Sequence, residues 1–138
     1  MDNPYDRIPY EGRCHMQTHP DQIASIAHLF SIPYPAIQTA RILEIGCGDG
    51  SNIINIASTL PLSQCVGIDA SVVQINLGKK NCAQLDLKNV ELLHTSIHDV
   101  QEDLGTFDYI ICHGVFSWIA QDLRERVLVL YKKLLKGL

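Results

Sequence analysis

The chain has 138 residues, of which 46% are hydrophobic and 19% charged, and its formal net charge is -4. This composition is typical of one folded domain, and the acidic balance gives no reason to expect a nucleic acid or an anionic membrane as partner. No apolar run approaches the ~20 residues that span a bilayer. The five cysteines form no CxxC pair, which argues against a disulfide framework or a metal site and favours a reducing cytoplasm.

Residues 1–39 are predicted to form an N-terminal arm and one helix. Residues 1–17 have no periodic pattern, whereas "THPDQIASIAHLF" reads as a helix with Thr18 as its cap and Pro20 in its first turn. The connector "SIPYPAIQT" follows. The helical spacing predicts a buried face made of Ile23, Ile26, Ala27 and Phe30.

Residues 40–138 alternate between short apolar strands and helices. The four predicted strands are "ARILEIG", "QCVGIDA", "NVELLHTS" and "FDYIICHG". The helices are "SNIINIASTL", "SVVQINLGKKNCAQLDL" with Ser71 as cap, and "AQDLRERVLVLYKKLLKG" with an apolar stripe. The alternation predicts βαβ units and a doubly wound, mostly parallel α/β sheet. Ligands of such sheets bind beyond the carboxyl ends of the strands.

A glycine loop, "GCGDG", lies at the carboxyl end of the first predicted strand. Gly46, Gly48 and Gly50 allow close approach of a ligand to the backbone, although a tight strand-to-helix turn needs glycine as well. Asp69 ends the second strand, where an acidic residue accepts hydrogen bonds from ribose hydroxyls. Ribose recognition leaves two cofactors open, a dinucleotide and S-adenosylmethionine.

The charges around the loop distinguish these two cofactors. The spacing is GxGxG and not the dinucleotide pattern GxGxxG. A dinucleotide places its pyrophosphate at the helix N-terminus, where Asp49 and nearby Glu44 would repel it. S-adenosylmethionine carries an ammonium and a sulfonium, which tolerate neighbouring carboxylates. The electrostatics therefore favour S-adenosylmethionine.

The segments "LEIGCGDGSN", "VGIDAS" and "FDYIICHGVFSW" together resemble class I S-adenosylmethionine-dependent methyltransferases. More narrowly, "PYDRIPY", "THPDQIA", "GCGDGSN" and "HGVFSW" are similar to bacterial methyltransferases with an appended methyltransferase regulatory domain, some of which are protein-lysine methyltransferases. The resemblance implies a Rossmann-like sheet of seven strands in the order 3-2-1-4-5-7-6. Only four are recognised here, so we expect an incomplete sheet of order 3-2-1-4, truncated after the helix that follows strand 4.

The resemblance also implies roles for individual residues. Glu44 and the glycine backbone would hold the methionine end of the cofactor, and Asp69 the ribose. Many relatives have an acidic residue directly after the third strand. The nearest candidate side chains in this sequence are those of His98 and Asp99. Other residues implied to line the site are Tyr10 as a closing aromatic, Ala70, Ser96 and Ile97 around the adenine, and His113 with Gly114 in the methionine pocket. No catalytic residue is assigned; His113 lies where a base would sit, and a histidine that only hydrogen-bonds the backbone is the competing interpretation.

Three functions remain open from the sequence. The first is a methyltransferase, or its cofactor-binding portion, with a protein side chain as candidate acceptor. The second is a cofactor-binding remnant without catalysis, and the third, less favoured, a nucleotide-binding oxidoreductase. Because the fourth strand would be an apolar edge, we also expect self-association or pairing with a missing C-terminal half.

Overall fold

The structure is a computed structural model that describes residues 11–137. The strands are β1 (Arg41–Ile45), β2 (Gln64–Asp69), β3 (Val90–His94) and β4 (Tyr109–Ile111). The helices are α1 (Pro20–Leu29), α2 (Ser51–Thr59), α3 (Val72–Gln84) and α4 (Gln121–Leu134), with short 3-10 turns at Met16–Thr18 and Glu102–Leu104. No helix within the described range is long and apolar enough to cross a membrane.

The four strands form one parallel sheet in the order β3-β2-β1-β4, which confirms the predicted architecture and strand order. The register pairs Glu44 with Gly67 on one side and with Ile111 on the other. Asp69 pairs with His94 at the end of β2. Because the strands are parallel, their carboxyl ends and the loops that follow them meet at one edge of the sheet.

Both faces of the sheet are covered by helices, as expected for a parallel sheet. On one face, Ile42 packs in an apolar cluster with Ile53 and Ile56 of α2 and Ile75 of α3. The other face has a second cluster, which includes Leu43, Ile45, Ile68, Phe107, Leu130 and Leu134. The predicted apolar stripe of α4 consists of Leu123, Val127, Leu130 and Leu134; the structure buries the last three and half-buries Leu123. The alternation of side chains along β1 therefore divides the core into two layers.

The predicted buried face of α1 is wrong, except for Ala27. Ile23, Ile26 and Phe30 are exposed, and the buried residues of the helix are Pro20, Ala24 and Ala27. The cap is His19 and not Thr18: the His19 ring accepts a hydrogen bond from the Asp21 N–H at 3.2 Å. Its other ring nitrogen lies 2.9 Å from the Thr59 hydroxyl of α2. This contact fixes the rotation of α1, so the small residues face the protein.

A short piece of chain after α4 pairs with Phe107, just before β4 begins, on the outer side of the sheet. The Phe107 N–H donates to the Leu134 carbonyl at 2.7 Å, and the Lys136 N–H donates to the Phe107 carbonyl at 2.9 Å. Phe107 and Leu135 form a parallel bridge. The described chain thus begins to pair along this edge just ahead of β4 itself.

Candidate functional site

A cavity of about 850 Å³ lies at the carboxyl ends of the strands. Its walls come from the glycine loop after β1, the end of β2, the loops after β3 and β4, and the N-terminal segment, which we define as residues 11–18. The cavity lining includes these residues proposed from the sequence: Glu44, Gly46, Gly48, Asp69, Ala70, Ser96, Ile97, His113 and Gly114. Tyr10 lies outside the described residues.

The three loop glycines have different surroundings. Gly48 has φ +56°, and a Cβ placed there would meet no atom within 4 Å, so it faces the open space of the cavity. A Cβ on Gly46 would run into the Val115 side chain. Gly50 does not line the cavity; it is the N-cap of α2, where a Cβ would lie 3.0 Å from Leu92. Gly48 therefore offers a ligand the closest backbone approach, and Gly50 forms the turn.

The N–H groups of the loop are largely bonded inside the protein. Those of Gly46 and Cys47 donate to the Ile68 carbonyl at 2.9 and 3.0 Å. The Gly48 N–H donates to Asp69 Oδ2 at 2.9 Å. At the start of α2, the Ser51 N–H donates to Asp49 Oδ1 at 3.0 Å. A pyrophosphate would need these donors, and two of them already bind carboxylates.

Glu44 is a buried carboxyl group at the bottom of the cavity, with 4% of its surface exposed. Its Oε1 accepts a hydrogen bond from Asn52 Nδ2 at 2.8 Å, and its Oε2 is buried without a hydrogen-bond partner among the described residues. Burial raises the pKa of Glu44 to about 7; Asp49 and Asp69 also raise it, whereas the hydrogen bonds from Asn52 and the Ile53 backbone lower it. An unpaired buried oxygen is costly, and a cationic ligand group would satisfy it.

Asp69 has a double role at the end of β2. Its Oδ2 accepts from the Gly48 N–H at 2.9 Å, and its Oδ1 accepts from the Ser71 N–H at 2.8 Å. The carboxylate therefore joins the glycine loop to the start of α3, which the sequence did not indicate. Since each carboxylate oxygen has two acceptor sites, capacity for ribose hydroxyls remains.

The loop after β3 forms the side of the cavity where the resemblance places the adenine. The Ser96 hydroxyl donates to Asp99 Oδ2 at 2.6 Å, so these two side chains bind each other. His98 lines the cavity and lies 3.2 Å from Asp122 of α4. Ile97 is half-buried and packs against the second apolar cluster. The wall here is thus formed by residues 95–98, whereas Asp99 does not line the cavity and is held by Ser96.

The N-terminal segment contacts the loop after β4 through a pair of histidines. The rings of His15 and His113 are in contact, with their centroids 4.0 Å apart and their planes tilted by 38°. Gln17 Nε2 lies 3.1 Å from His113 Nε2. Burial, together with His113 and Arg13, lowers the pKa of His15. Sequence reasoning missed His15 and Gln17 because nothing in the local pattern places residues of the arm beside the fourth strand.

A buried asparagine connects the same segment to the bottom of the cavity. Asn52, the second residue of α2, is 5% exposed. It bonds to Glu44 and to the Thr18 hydroxyl through Nδ2, the latter at 2.9 Å, and its Oδ1 accepts from the His15 N–H at 2.8 Å. Asn52 stands in the motif "GCGDGSN", but only its burial reveals its importance. No cluster of His, Cys, Asp and Glu suited to a metal ion occurs within residues 11–137.

The outer rim of the cavity is apolar and open. It is formed after β4 by Val115, Trp118, Ile119 and Leu123. Trp118 is 80% exposed, in contrast to the buried Glu44 and Asn52 below it. A second molecule thus has access to the cavity from this side.

Comparison with known proteins agrees with this geometry. The family described as "Methyltransferase domain" matches residues 42–137. The uncharacterized protein RP028 of Rickettsia prowazekii is 44% identical over 131 residues, covering 95% of this chain and 52% of RP028. PKMT2 from Rickettsia typhi in complex with AdoHcy superposes with a TM-score of 0.89 and 44% identity, over 93% of this chain and 25% of PKMT2. The chain thus spans about half the length of one relative and a quarter of the other.

The fold and the glycine loop are those of class I S-adenosylmethionine-dependent methyltransferases. The chain belongs to the methyltransferase domain family.

Proposed function

We propose that this chain binds S-adenosylmethionine in the cavity and forms the cofactor-binding portion of a methyltransferase. The observation that carries the proposal is the buried Glu44 oxygen, which has no hydrogen-bond partner among the described residues, in the same cavity as the open space at Gly48. A cavity bottom with three carboxyl groups, Glu44, Asp49 and Asp69, suits a ligand that is cationic at its amino acid end. The complex of PKMT2 with AdoHcy supports the same cofactor class.

Each part of this cofactor has candidate binding residues in the cavity. Glu44 would receive the ammonium group, and the Gly46–Gly48 backbone the methionine chain. Asp69 would accept the ribose hydroxyls, with Ala70 and Ile97 beside the adenine. When bound, the cofactor supplies an activated methyl group for direct transfer to a nucleophile. The protein's contribution is to align the reactants and to exclude water, which is the larger share of what such a transfer requires.

The open rim supports a large methyl acceptor, and we propose a protein side chain. Trp118 and the apolar rim provide a surface that an extended acceptor can contact, and the His15–His113 pair lies at the same opening. A glutamine amide nitrogen only donates, so His113 Nε2 accepts from Gln17 in this arrangement. His113 lines the cavity, where a histidine nitrogen can take an acceptor's proton once Gln17 moves away.

Calorimetric titration separates the cofactors. We expect S-adenosylmethionine and S-adenosylhomocysteine to bind and NAD not to bind, because the loop amides are bonded to Asp49 and Asp69. Tight binding of NAD alone would refute the proposal and favour the oxidoreductase.

Methyl transfer from labelled cofactor to a cell lysate tests the catalytic part of the proposal. Label in protein bands would support a protein acceptor, and label in small molecules would exclude it. If the cofactor binds but no label is transferred, the chain acts as a binding portion that needs further polypeptide. A need for further polypeptide is a specific expectation because this chain covers only a quarter to a half of the length of its relatives.

We also propose that the outer edge of β4 pairs with another strand, from a second copy or from further methyltransferase polypeptide. The only pairing that the described residues make on this side is the bridge between Phe107 and Leu135. An apolar edge strand with open backbone groups is prone to such pairing. Light scattering should show self-association of the 138-residue chain at micromolar concentration. A strictly monomeric chain with a cooperative melt would contradict this.

A further inference from the structure

Asn52 uses one side-chain amide to hold two different parts of the cavity. One hydrogen of Nδ2 points to Glu44 Oε1 at 2.8 Å, and the other bonds the Thr18 hydroxyl at 2.9 Å. Oδ1 accepts from the His15 N–H at 2.8 Å. Both donors of the amide and one acceptor site are thus occupied, and the group is buried. Asn52 thus connects Glu44 at the bottom of the cavity to Thr18 and His15 of the N-terminal segment.

The rest of the N-terminal segment lies along the glycine loop. Cys14 Sγ bonds the Ser51 carbonyl at 3.5 Å, and Gly12 lies so close to Asp49 and Ser51 that a Cβ there would collide with both. These contacts are exposed and weak compared with the buried bonds of Asn52. Asn52 therefore supplies the side-chain hydrogen bonds that join the segment to the bottom of the cavity, while the contacts of His15 and Gln17 with His113 hold it on the side of β4.

We propose that Asn52 is a positioning residue that couples cofactor binding at Glu44 to closure of the N-terminal segment over the cavity. The inference rests on the proposed function, because it needs the ammonium group of the cofactor at Glu44. That ammonium stabilises the ionised carboxylate, which accepts a stronger hydrogen bond from Asn52 than the neutral acid does. A more strongly bound amide then holds Thr18 and the His15 backbone more firmly, since bonds in a buried network polarise one another.

Several titratable groups surround Glu44, whose own pKa is raised by burial to about 7. Asp49 and Asp69 face it from the loop and from the end of β2, and both raise its pKa. Three thiols also interact with it electrostatically, and their pKa values are raised by burial, so they stay neutral: Cys47, Cys65 and Cys112. From the N-terminal segment, His15 touches the network through its backbone N–H, and its pKa is lowered.

The first test measures affinity for S-adenosylhomocysteine against pH in Asn52→Ala. In the unaltered chain we expect affinity to rise with pH through about 7, as Glu44 ionises. Removing the amide removes a bond that lowers the pKa of Glu44, so the midpoint should move to higher pH, with binding at neutral pH about tenfold weaker. An unchanged midpoint would overturn the coupling.

The second test follows tryptic cleavage after Arg13, an exposed residue of the N-terminal segment. S-adenosylhomocysteine should slow this cleavage in the unaltered chain and should fail to do so in Asn52→Ala. Thr18→Val removes the bond from Asn52 to the Thr18 hydroxyl and the bond from that hydroxyl to the His15 carbonyl, but it leaves the bond between Asn52 and Glu44. Protection should therefore decrease while the pH midpoint stays in place. Protection that persists in both variants would overturn the proposed closure.

Asn89→Ala is the matched control. Asn89 also donates two hydrogen bonds from a side-chain amide to the end of α2, to the carbonyls of Ala57 and Leu60 at 3.0 Å each, but it does not line the cavity. It should lower stability without moving the pH midpoint or the protection. If Asn89→Ala reproduces the effects of Asn52→Ala, the role of Asn52 is only structural. If the unaltered chain binds no S-adenosylhomocysteine, the proposed function fails, which is a separate result.

Discussion

The bottom of the cavity and its outer rim differ sharply in burial. At the bottom, Glu44 and Asn52 are nearly inaccessible, and the loop amides are bonded to Asp49 and Asp69. At the rim, Trp118 is 80% exposed. The bottom is thus arranged in advance for one small ligand, while the rim is open to a partner of variable shape. In the proposed function, the first region would bind the cofactor and the second would contact the acceptor.

We expect the largest effect on cofactor binding from a substitution of Gly48, which lines the bottom of the cavity. Gly48→Val should weaken cofactor binding by more than about 100-fold, because the new side chain enters the cavity and strains a backbone with φ +56°. Gly105→Val is the control, since Gly105 has φ +78° but lies outside the cavity lining. Calorimetry and thermal melting distinguish the two. If both variants lose stability and both keep binding, the glycine serves the turn and not the ligand.

Asp69→Ala comes next, with a loss of roughly ten- to hundred-fold in affinity, as expected for charged hydrogen bonds to ribose hydroxyls. Its melting temperature should also fall, because the Gly48 and Ser71 N–H groups lose their acceptor. Asp69→Asn keeps one oxygen and should be intermediate in both measurements. A folded Asp69→Ala variant with an unchanged dissociation constant for the cofactor would show that Asp69 does not bind it.

Glu44→Gln should lower affinity about tenfold near pH 7.5 and change how stability depends on pH. The pKa of Glu44 is raised to about 7, so the folded chain binds this proton more tightly than the unfolded chain. Stability should therefore fall as the pH rises from about 4.5 to about 7, by up to ~3 kcal/mol. Thermal melts across this range should be flatter in Glu44→Gln. The exposed Glu91→Gln serves as control, and a wild-type profile without this slope would contradict the burial argument.

The smallest effect on cofactor binding is expected at the rim. Trp118→Ala should change the dissociation constant by less than about twofold, since such exposed side chains rarely contribute more than ~0.5 kcal/mol. Methyl transfer to a protein acceptor should decrease in the same variant, and Leu62→Ala, exposed and remote from the cavity, should change neither. A Trp118→Ala variant that loses cofactor affinity would contradict the proposal that the bottom of the cavity binds the cofactor and the rim contacts the acceptor.

The sequence by itself determined the alternation of strands and helices, the position of the glycine loop and the acids at the ends of β1 and β2. These features depend on local periodicity and turn chemistry, which residues a few positions apart decide. The cap at Ser71 is an example, since its hydroxyl accepts the Gln74 N–H as the pattern predicted.

Only the tertiary structure decided the rotation of α1, the packing role of Gly50, the double bonding of Asp69 and the network around Asn52. Each of these depends on residues distant in the chain. His19 finds Thr59, His15 contacts His113, and Asn52 joins Thr18 to Glu44. Most buried polar groups take a partner that the fold places within reach, because leaving one unpaired costs about 1–3 kcal/mol, more than a typical local preference.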